Sequence, residues 1–335
     1  MPINTQQKCG LNWPHRKIRP NGKMVPHLIA PKAGLTNRMD NKNDNHDASA
    51  PPKSILVVAD LDLNEMLFDH LLRQEWTVEY VSSNHEALSL CSRKPFDLII
   101  TAEATSAVED IELLRRIRRV RPHTHMIILV RESTTQDVIL ALRDGAFSYF
   151  SPPYTFESLR QMIHLAMEEP CWDDGIEVAF ATPSWVRLLV RCDLGAAERL
   201  MRFIEEMIDM PEEEKGHVAY AFREMLTNAI RHGGKFDPWQ YVEISYFRAR
   251  HAIACRIKDP GLGFSLEELH HAAVLNPPDD PMRHMGIREG AGLPPGGYGI
   301  LLSRHMVDEL IYNEQGNEVL LIKYLLDIPT AKLPV

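Results

Sequence analysis

The chain lacks the features that mark secreted, membrane-embedded or disulfide-rich proteins. Its 335 residues hold five cysteines, an odd number, and none of them is spaced as C-x-x-C. Such scattered cysteines exclude a regular disulfide framework and indicate a reducing compartment. No apolar run is long enough to span a bilayer, and the start shows no signal-peptide core, so we expect a cytoplasmic protein with no membrane segment.

Basic residues are too few for a general nucleic-acid binder, since the net charge is −9 and phosphate recognition needs concentrated Lys and Arg. No helix-turn-helix signal is present either, so we expect no direct contact with nucleic acid. The charge is uneven. Residues 1–53 hold nine Lys and Arg against three Asp, which leaves the remainder at −15.

Residues 1–52 have no apolar periodicity and are rich in Asn, Lys, Pro, His and Asp. Such a segment buries too little apolar surface to repay its ordering, so we expect a disordered basic tail. Either Met24 or Met39 is a candidate for the true start. The tail is expected to be solvated, with contact to an acidic partner as the alternative.

Residues 53–169 alternate between short apolar runs and helical patterns five times. The apolar runs, such as "SILVVA", "DLIITA" and "MIILV", lack the two-residue alternation of a half-exposed strand. This pattern predicts an α/β domain with a five-stranded, parallel, doubly wound sheet. Residues 170–184 are expected to be a linker. Helices and strands segregate over residues 185–328, which predicts an α+β sandwich.

The first domain resembles the receiver domain of response regulators, on "ILVVADLD", "PFDLIITAE" and "ALRDGAFSYFSPPY". The resemblance implies a phosphoacceptor aspartate at the end of the third strand, but Ala102 stands there. The positions of the phosphoryl-binding Thr or Ser and of the lysine are taken by Val130 and Pro152. At the acidic pair only Asp60 is retained, and Glu103 lies one residue late. We therefore expect a pseudo-receiver that is not phosphorylated and serves in docking or dimerisation through its last helices.

In "AYAFREMLTNAIRHGG" two polar residues, Glu224 and Asn228, are four apart and so share one face of a helix. "KDPGLGF" places Asp259 at a strand end, before Gly261 and Gly263. "PPGGYGILLSRHM" places Gly297 and Gly299 just before a helix. Glycines there permit close approach of a ligand, and backbone N–H groups at a helix start can receive phosphates.

Together these three segments resemble the GHKL-type ATPase and kinase fold, and "REMLTNAIRHG" is most similar to serine kinases that act as anti-sigma factors. The resemblance implies ATP and Mg²⁺ as ligands, with Asn228 on Mg²⁺ and Asp259 on the adenine amino group. It implies Gly261 and Gly263 beside the base, Gly297 and Gly299 at the phosphates, and Glu224 as general base on a protein serine. The implied partners are a sigma factor or an anti-sigma antagonist. Homodimerisation is expected from the resemblance alone.

Between the glycine motifs, residues 265–295 are expected to form an irregular, mobile nucleotide lid, from which Arg283 or Arg288 could reach the γ-phosphate. His232 is expected to have a structural role. A sensor histidine kinase is disfavoured, because no two-helix phosphoacceptor region precedes residue 185 and His164 lacks the neighbours of an acceptor. The alternative to a kinase is an ATP-dependent sequestering module or scaffold with little transfer activity.

Overall fold

The computed structural model describes residues 53–59, 75–103, 105–168 and 175–325. The expected disordered tail, the helix expected over residues 64–74 and Asp60 lie outside these described residues. Cys9 and Cys171 do so as well.

The first domain contains the predicted five-stranded parallel sheet, in the order β2-β1-β3-β4-β5. Its strands β3 to β5 are buried along their whole length, as expected of a sheet covered on both faces. The strands are β1 (Ser54–Ala59), β2 (Thr77–Val81), β3 (Leu98–Ala102), β4 (His125–Leu129) and β5 (Ser148–Phe150).

This domain has four described helices, and a Ser or Thr side chain caps the start of the first three. The helices are α1 (Asn84–Arg93), α2 (Ala107–Val120), α3 (Thr135–Asp144) and α4 (Phe156–Glu168). Ser106 and Glu109 form a reciprocal capping box at the start of α2. Gly145, with a φ of +83°, ends α3 in the left-handed conformation that glycine adopts without strain.

The second domain is built on a six-stranded antiparallel sheet in the order β10-β11-β9-β8-β7-β6. One part of the expected linker is wrong: Ile176–Thr182 form the edge strand β6, paired with β7. The segment "IEVAFAT" has the β-branched and aromatic residues of a strand, and β7 supplies the partner that completes it. The other strands are β7 (Trp185–Arg191), β8 (Tyr241–Arg248), β9 (Ala252–Lys258), β10 (Glu309–Tyr312) and β11 (Glu318–Tyr324).

Four helices are described in this domain, and three of them pack on the sheet. The four helices are α5 (Leu194–Met207), α6 (Glu212–Asn228), α7 (Arg283–Gly290) and α8 (Gly299–Met306), and a π-helical turn, Ala229–Gly233, continues α6. One expectation is corrected here, because the lid segment, which was expected to be irregular, contains the helix α7. After α8 the chain returns to the sheet, where residues 309–312 pair with β11. In the described part of the chain, no helix is both long and apolar enough to cross a membrane.

The two sheets belong to one compact unit, because α5 packs against α3 and β5 of the first domain. Arg199 of α5 is 4% exposed; its Nε donates to the Phe147 carbonyl at 3.1 Å and its guanidinium lies 4.2 Å from the Phe147 ring centre. Ser151, just after β5, donates its N–H to Glu206 at 3.2 Å. Burial raises the pKa of Glu206, and the Ser151 hydrogen bonds and Arg202 partly offset that rise. The first domain therefore docks on α5 through α3, one of its last two helices, together with β5.

Candidate functional site

Helix α6 presents a polar edge to a cavity of about 710 Å³. The apolar stripe of the helix is buried, as the sequence predicts: Val218, Phe222, Met225, Leu226 and Ala229. Glu224 and Asn228 lie beside this stripe, are half-buried and line the cavity. The four-residue spacing thus places a carboxylate and an amide on one wall.

Asp259 follows β9 directly and lies between two backbone segments that come unusually close to it. The N–H of Gly261 donates to its Oδ1 at 2.7 Å. A Cβ added to Gly233, in the π-helical turn, would collide with the Asp259 carboxyl group. Burial raises the pKa of Asp259, and the Gly261 N–H partly offsets that rise. The arrangement leaves a fixed hydrogen-bond acceptor on the cavity wall.

The loop that follows Asp259 is locked against the hairpin between β10 and β11. Gly263 has a φ of +83°, and a Cβ there would lie 2.8 Å from the carbonyl carbon of Gln315. Asn317 is 7% exposed; its carbonyl accepts from the Asp259 N–H at 2.9 Å and its Nδ2 donates to the Gly261 carbonyl at 3.4 Å. Sequence reasoning missed Asn317, and the turn "NEQGNE" between two strands was its only signal.

The second glycine segment forms the opposite wall, at the start of α8. Gly297 has a φ of +89°, and a Cβ there would lie 2.7 Å from the His271 carbonyl oxygen. Gly299 is the first residue of α8; a Cβ there would collide with Glu224 Oε2 and would lie 3.9 Å from Asn228 Nδ2. The polar pair of α6 therefore faces the N-terminal end of α8, where backbone N–H groups lack helical partners.

Of the two arginines considered for the lid, Arg288 lines the cavity and Arg283 is not among its lining residues. The Arg288 guanidinium also holds the lid in place, since Nε donates to the Pro294 carbonyl at 2.9 Å and Nη1 to the His271 carbonyl at 3.3 Å. It thus closes the lid segment on itself at the edge of the cavity.

The cavity wall carries three cationic and three acidic side chains. The acidic ones are Glu224, Asp259 and Glu318. None of the three cations, Arg231, Lys235 and Arg288, is within ion-pair distance of a carboxylate among the described residues. His232 also lines the cavity, and burial together with the charges of Arg231, His271 and Arg288 lowers its pKa. The three cations are therefore available to an anionic ligand.

The predicted site residues therefore converge on one cavity, although they come from three separate segments of the chain. The lining includes Glu224, Asn228, Asp259, Gly261, Gly263, Arg288, Gly297 and Gly299. Within the described residues, no group of three or more His, Cys, Asp and Glu side chains is arranged to hold a metal ion. A Mg²⁺ bound by Asn228 would therefore need further oxygen ligands from a nucleotide and water.

In the first domain, three described residues at the carboxyl edge of the parallel sheet are apolar where a phosphorylation site would need oxygen atoms. Ala59 and Ala102 are register partners at the ends of β1 and β3, and both are buried, as is Val130 after β4. Glu103 has a φ of +57° and accepts a hydrogen bond from the Tyr154 hydroxyl at 2.7 Å. The Arg131 guanidinium lies 3.8 Å from the same carboxylate, so Glu103 is held by two side chains of its own domain.

Comparison with protein families identifies both domains. Residues 55–164 match the response regulator receiver domain, and residues 190–323 match the histidine kinase-like ATPase domain. The chain therefore fuses a receiver domain to a histidine kinase-like ATPase domain, as the sequence predicts.

Individual relatives are similar over a limited part of the chain. The transcriptional regulatory protein ZraR of Salmonella typhimurium is 25% identical over 114 residues, which cover 33% of this chain and 26% of ZraR. The response regulator protein PilR of Pseudomonas aeruginosa is 26% identical over 115 residues, covering 34% of this chain and 26% of PilR. The chain thus spans about a quarter of these relatives. A receiver domain structure from Clostridium thermocellum is 28% identical, covers 34% of this chain and 94% of that one, and has a TM-score of 0.31.

Proposed function

We propose that this fusion of a receiver domain and a histidine kinase-like ATPase domain is an ATP-dependent serine protein kinase of the anti-sigma-factor type. The observation that supports it best is the convergence of Glu224, Asn228 and Asp259 with two glycine loops on one cavity. The cavity wall offers three different groups at separate places: the Asp259 carboxylate as an acceptor for a base, the Asn228 amide for a metal ion, and the start of α8 for phosphates.

The nucleotide and its metal ion would be held by residues that fit them chemically. Asp259 would accept a hydrogen bond from the adenine amino group, with Gly261 and Gly263 beside the base. The Asn228 side-chain oxygen is a hard ligand suited to Mg²⁺, which would carry phosphate oxygens in its other positions. Gly297 and Gly299 would let the phosphates reach the N–H groups at the start of α8 without a side chain between them.

Glu224 would be the general base. Its carboxylate would take the proton of a serine hydroxyl on the partner protein while that oxygen bonds to the γ-phosphorus. The bond from the γ-phosphorus to the bridging oxygen would break, and ADP would leave with the electron pair. Mg²⁺, when bound, neutralises the charge on the phosphates. Catalysis in such transfers rests mainly on positioning and charge neutralisation.

The receiver domain would act as a docked structural part without being phosphorylated. Ala102 has no oxygen that could accept a phosphoryl group, and its neighbours at the sheet edge are the apolar Ala59 and Val130. We expect acetyl phosphate to leave the domain unmodified, as measured by intact mass. Partner proteins follow from the resemblance only: an antagonist bearing the target serine, with a sigma factor as the alternative.

Titration calorimetry tests nucleotide binding first. We expect Mg·ATP to bind the purified protein at micromolar concentration and the Asn228→Ala variant to lose that binding. Glu213→Ala, an exposed change in the first turn of the same helix, is the matched control and should bind as wild type does. A well-folded wild-type protein that binds no Mg·ATP would contradict the proposal and favour a scaffold.

A second candidate function is a nucleotide-dependent binding module with little transfer activity. The position of Glu224 supports this binding module, because a Cβ on Gly299 would collide with Glu224 Oε2. The carboxylate therefore lies at the start of α8, where a phosphate oxygen would be received. The two candidates differ in Glu224→Gln. Loss of labelled phosphate transfer from [γ-³²P]ATP to a partner, with ATP binding kept, favours the kinase. If the variant controls its partner as wild type does, the binding module is correct.

A further inference from the structure

His284, in the lid helix α7, is a fully buried histidine whose tautomer the surrounding hydrogen bonds define. Asn276 Oδ1 accepts the His284 backbone N–H at 3.0 Å, which fixes the orientation of the amide. Asn276 Nδ2 then donates to the Pro281 carbonyl and to His284 Nδ1, each at 2.6 Å. Since Nδ1 accepts a hydrogen bond from the amide, the ring carries its own proton on Nε2.

The Nε2–H group is buried and has no hydrogen-bond partner among the described residues. The Tyr298 ring meets the imidazole at 87° with centroids 4.6 Å apart, and an aromatic ring is at best a weak acceptor. The acidic residues nearest to His284 in the sequence, Asp279, Asp280 and Glu289, are exposed. A buried donor without an acceptor is costly, so this arrangement is suited to a state in which an acceptor arrives.

The position of the ring indicates where that acceptor would be. A Cβ built on Gly297 would lie 3.3 Å from His284 Cδ2, the atom bonded to Nε2. The imidazole edge therefore packs on the backbone of a glycine that lines the cavity. The same Cβ would lie 3.2 Å from Arg288 Nη1, so the surroundings are cationic. Donors and positive charge at one point favour an oxyanion.

We propose that His284 is a positioning residue that ties the lid to the nucleotide: with the turn at Gly297 displaced by the ligand, Nε2–H donates to a phosphate oxygen. This inference rests on the proposed nucleotide binding and adds a residue to which the resemblance gives no role. In this proposal Asn276 has a separate role, because its hydrogen bond to Nδ1 orients the ring and so sets the direction of the Nε2–H group. Lid closure would then depend on the phosphates.

Two substitutions separate the two nitrogens of the ring. His284→Asn places an amide near the Nδ1 position and removes the Nε2 donor, whereas His284→Gln places an amide N–H near Nε2. Mg·ATP would be titrated calorimetrically into full-length wild type, both variants and His123→Asn, an exposed histidine of the receiver domain. We expect His284→Asn to bind about tenfold more weakly or worse, the loss of a hydrogen bond to a charged group. His284→Gln should remain within about threefold, since the donor is restored.

The outcomes are distinct. If wild type binds no Mg·ATP, the proposed function fails. If wild type binds and His284→Asn binds equally well, or if Asn and Gln weaken binding to the same extent, the role of His284 is only structural and the inference is wrong. A measurement without substitution covers variants that fold poorly. In ¹⁵N-labelled wild type, the Nε2-bound proton of His284 should shift downfield on saturation with Mg·ATP, and an unmoved signal overturns the inference.

Discussion

Gly263→Ala is the substitution for which the structure gives the sharpest expectation. Gly263 has a φ of +83°, and a left-handed conformation costs an alanine about 1–2 kcal/mol. The new Cβ would also lie 2.8 Å from the Gln315 carbonyl carbon and closer still to its oxygen. Both are backbone atoms of the facing hairpin, so the loop and the hairpin must separate.

That separation breaks two hydrogen bonds that hold the loop to the hairpin. Gln315 Nε2 donates to the Leu262 carbonyl at 3.2 Å, and Asn317 Nδ2 donates to the Gly261 carbonyl at 3.4 Å. At about 0.5–1.5 kcal/mol each, and with the backbone strain added, the free energy of unfolding should fall by about 2–5 kcal/mol. Because Asp259 belongs to the same loop, affinity for Mg·ATP should also fall about tenfold.

Urea unfolding and calorimetry measure the two effects, and Gly216→Ala is the matched control. Gly216 is exposed in α6, and no heavy atom lies within 4 Å of the Cβ it would gain. An alanine inside a helix should stabilise the protein by about 0.5–1 kcal/mol and leave binding unchanged. A Gly263→Ala protein within about 0.5 kcal/mol of wild type would refute the reasoning about the locked loop.

Three further expectations concern other parts of the chain. Arg199→Ala should lower the free energy of unfolding by about 2–4 kcal/mol through the lost contacts with Phe147. Arg116→Ala, a change at an exposed arginine, is the control and should not lower it. Equal effects of the two substitutions would show that α5 does not hold the domains together. Burial raises the pKa of Asp110 above its ordinary 3.8, so the folded protein binds this proton more tightly than the unfolded chain does. The resulting contribution to the free energy of unfolding is present below pH 3.8 and is lost as the pH rises through the raised pKa of the folded state. The thermal midpoint should then fall less between pH 4 and pH 7 in Asp110→Asn than in wild type, and identical slopes would count against it. Burial raises the pKa of the Cys91 and Cys192 thiols to about 11 and that of Cys255 to about 12. A thiol reagent at pH 8 should therefore label these cysteines only after unfolding, as measured by peptide mass spectrometry. Fast labelling of the native protein would contradict this expectation.

The fold was predictable where the apolar pattern had one interpretation. The continuous runs of β1, β3 and β4 carry the parallel sheet, because strands covered on both faces need apolar residues at every position. Residues 176–182 were harder, since "IEVAFAT" follows a proline and two acidic residues, and only pairing with β7 makes it a strand.

The candidate site was predictable in its residue types but not in the contacts that hold it. Spacing places Glu224 beside Asn228, and the glycines mark where backbone approaches closely. No sequence spacing indicates Asn317, which lies in a hairpin far along the chain. Its backbone carbonyl accepts from the Asp259 N–H, and its side-chain amide donates to the Gly261 carbonyl. Arg288 was one of two candidates for reaching the γ-phosphate, and the structure shows it bound to two lid carbonyls. A charged side chain in a sequence gives no sign of which neutral acceptors will hold it.

The docking of α5 on the receiver domain changes how the two domains respond to concentration. Separate proteins joined by such contacts would associate only above their dissociation constant, and their pairing would follow expression levels. Here the contact between Arg199 and Phe147 is intramolecular, so the effective concentration of the receiver domain is set by the chain itself. Each ATPase domain carries its receiver at a fixed ratio of one to one, at any dilution. A signal that acts through this pair must therefore strengthen or open a contact that already exists, because there is no recruitment step for it to control.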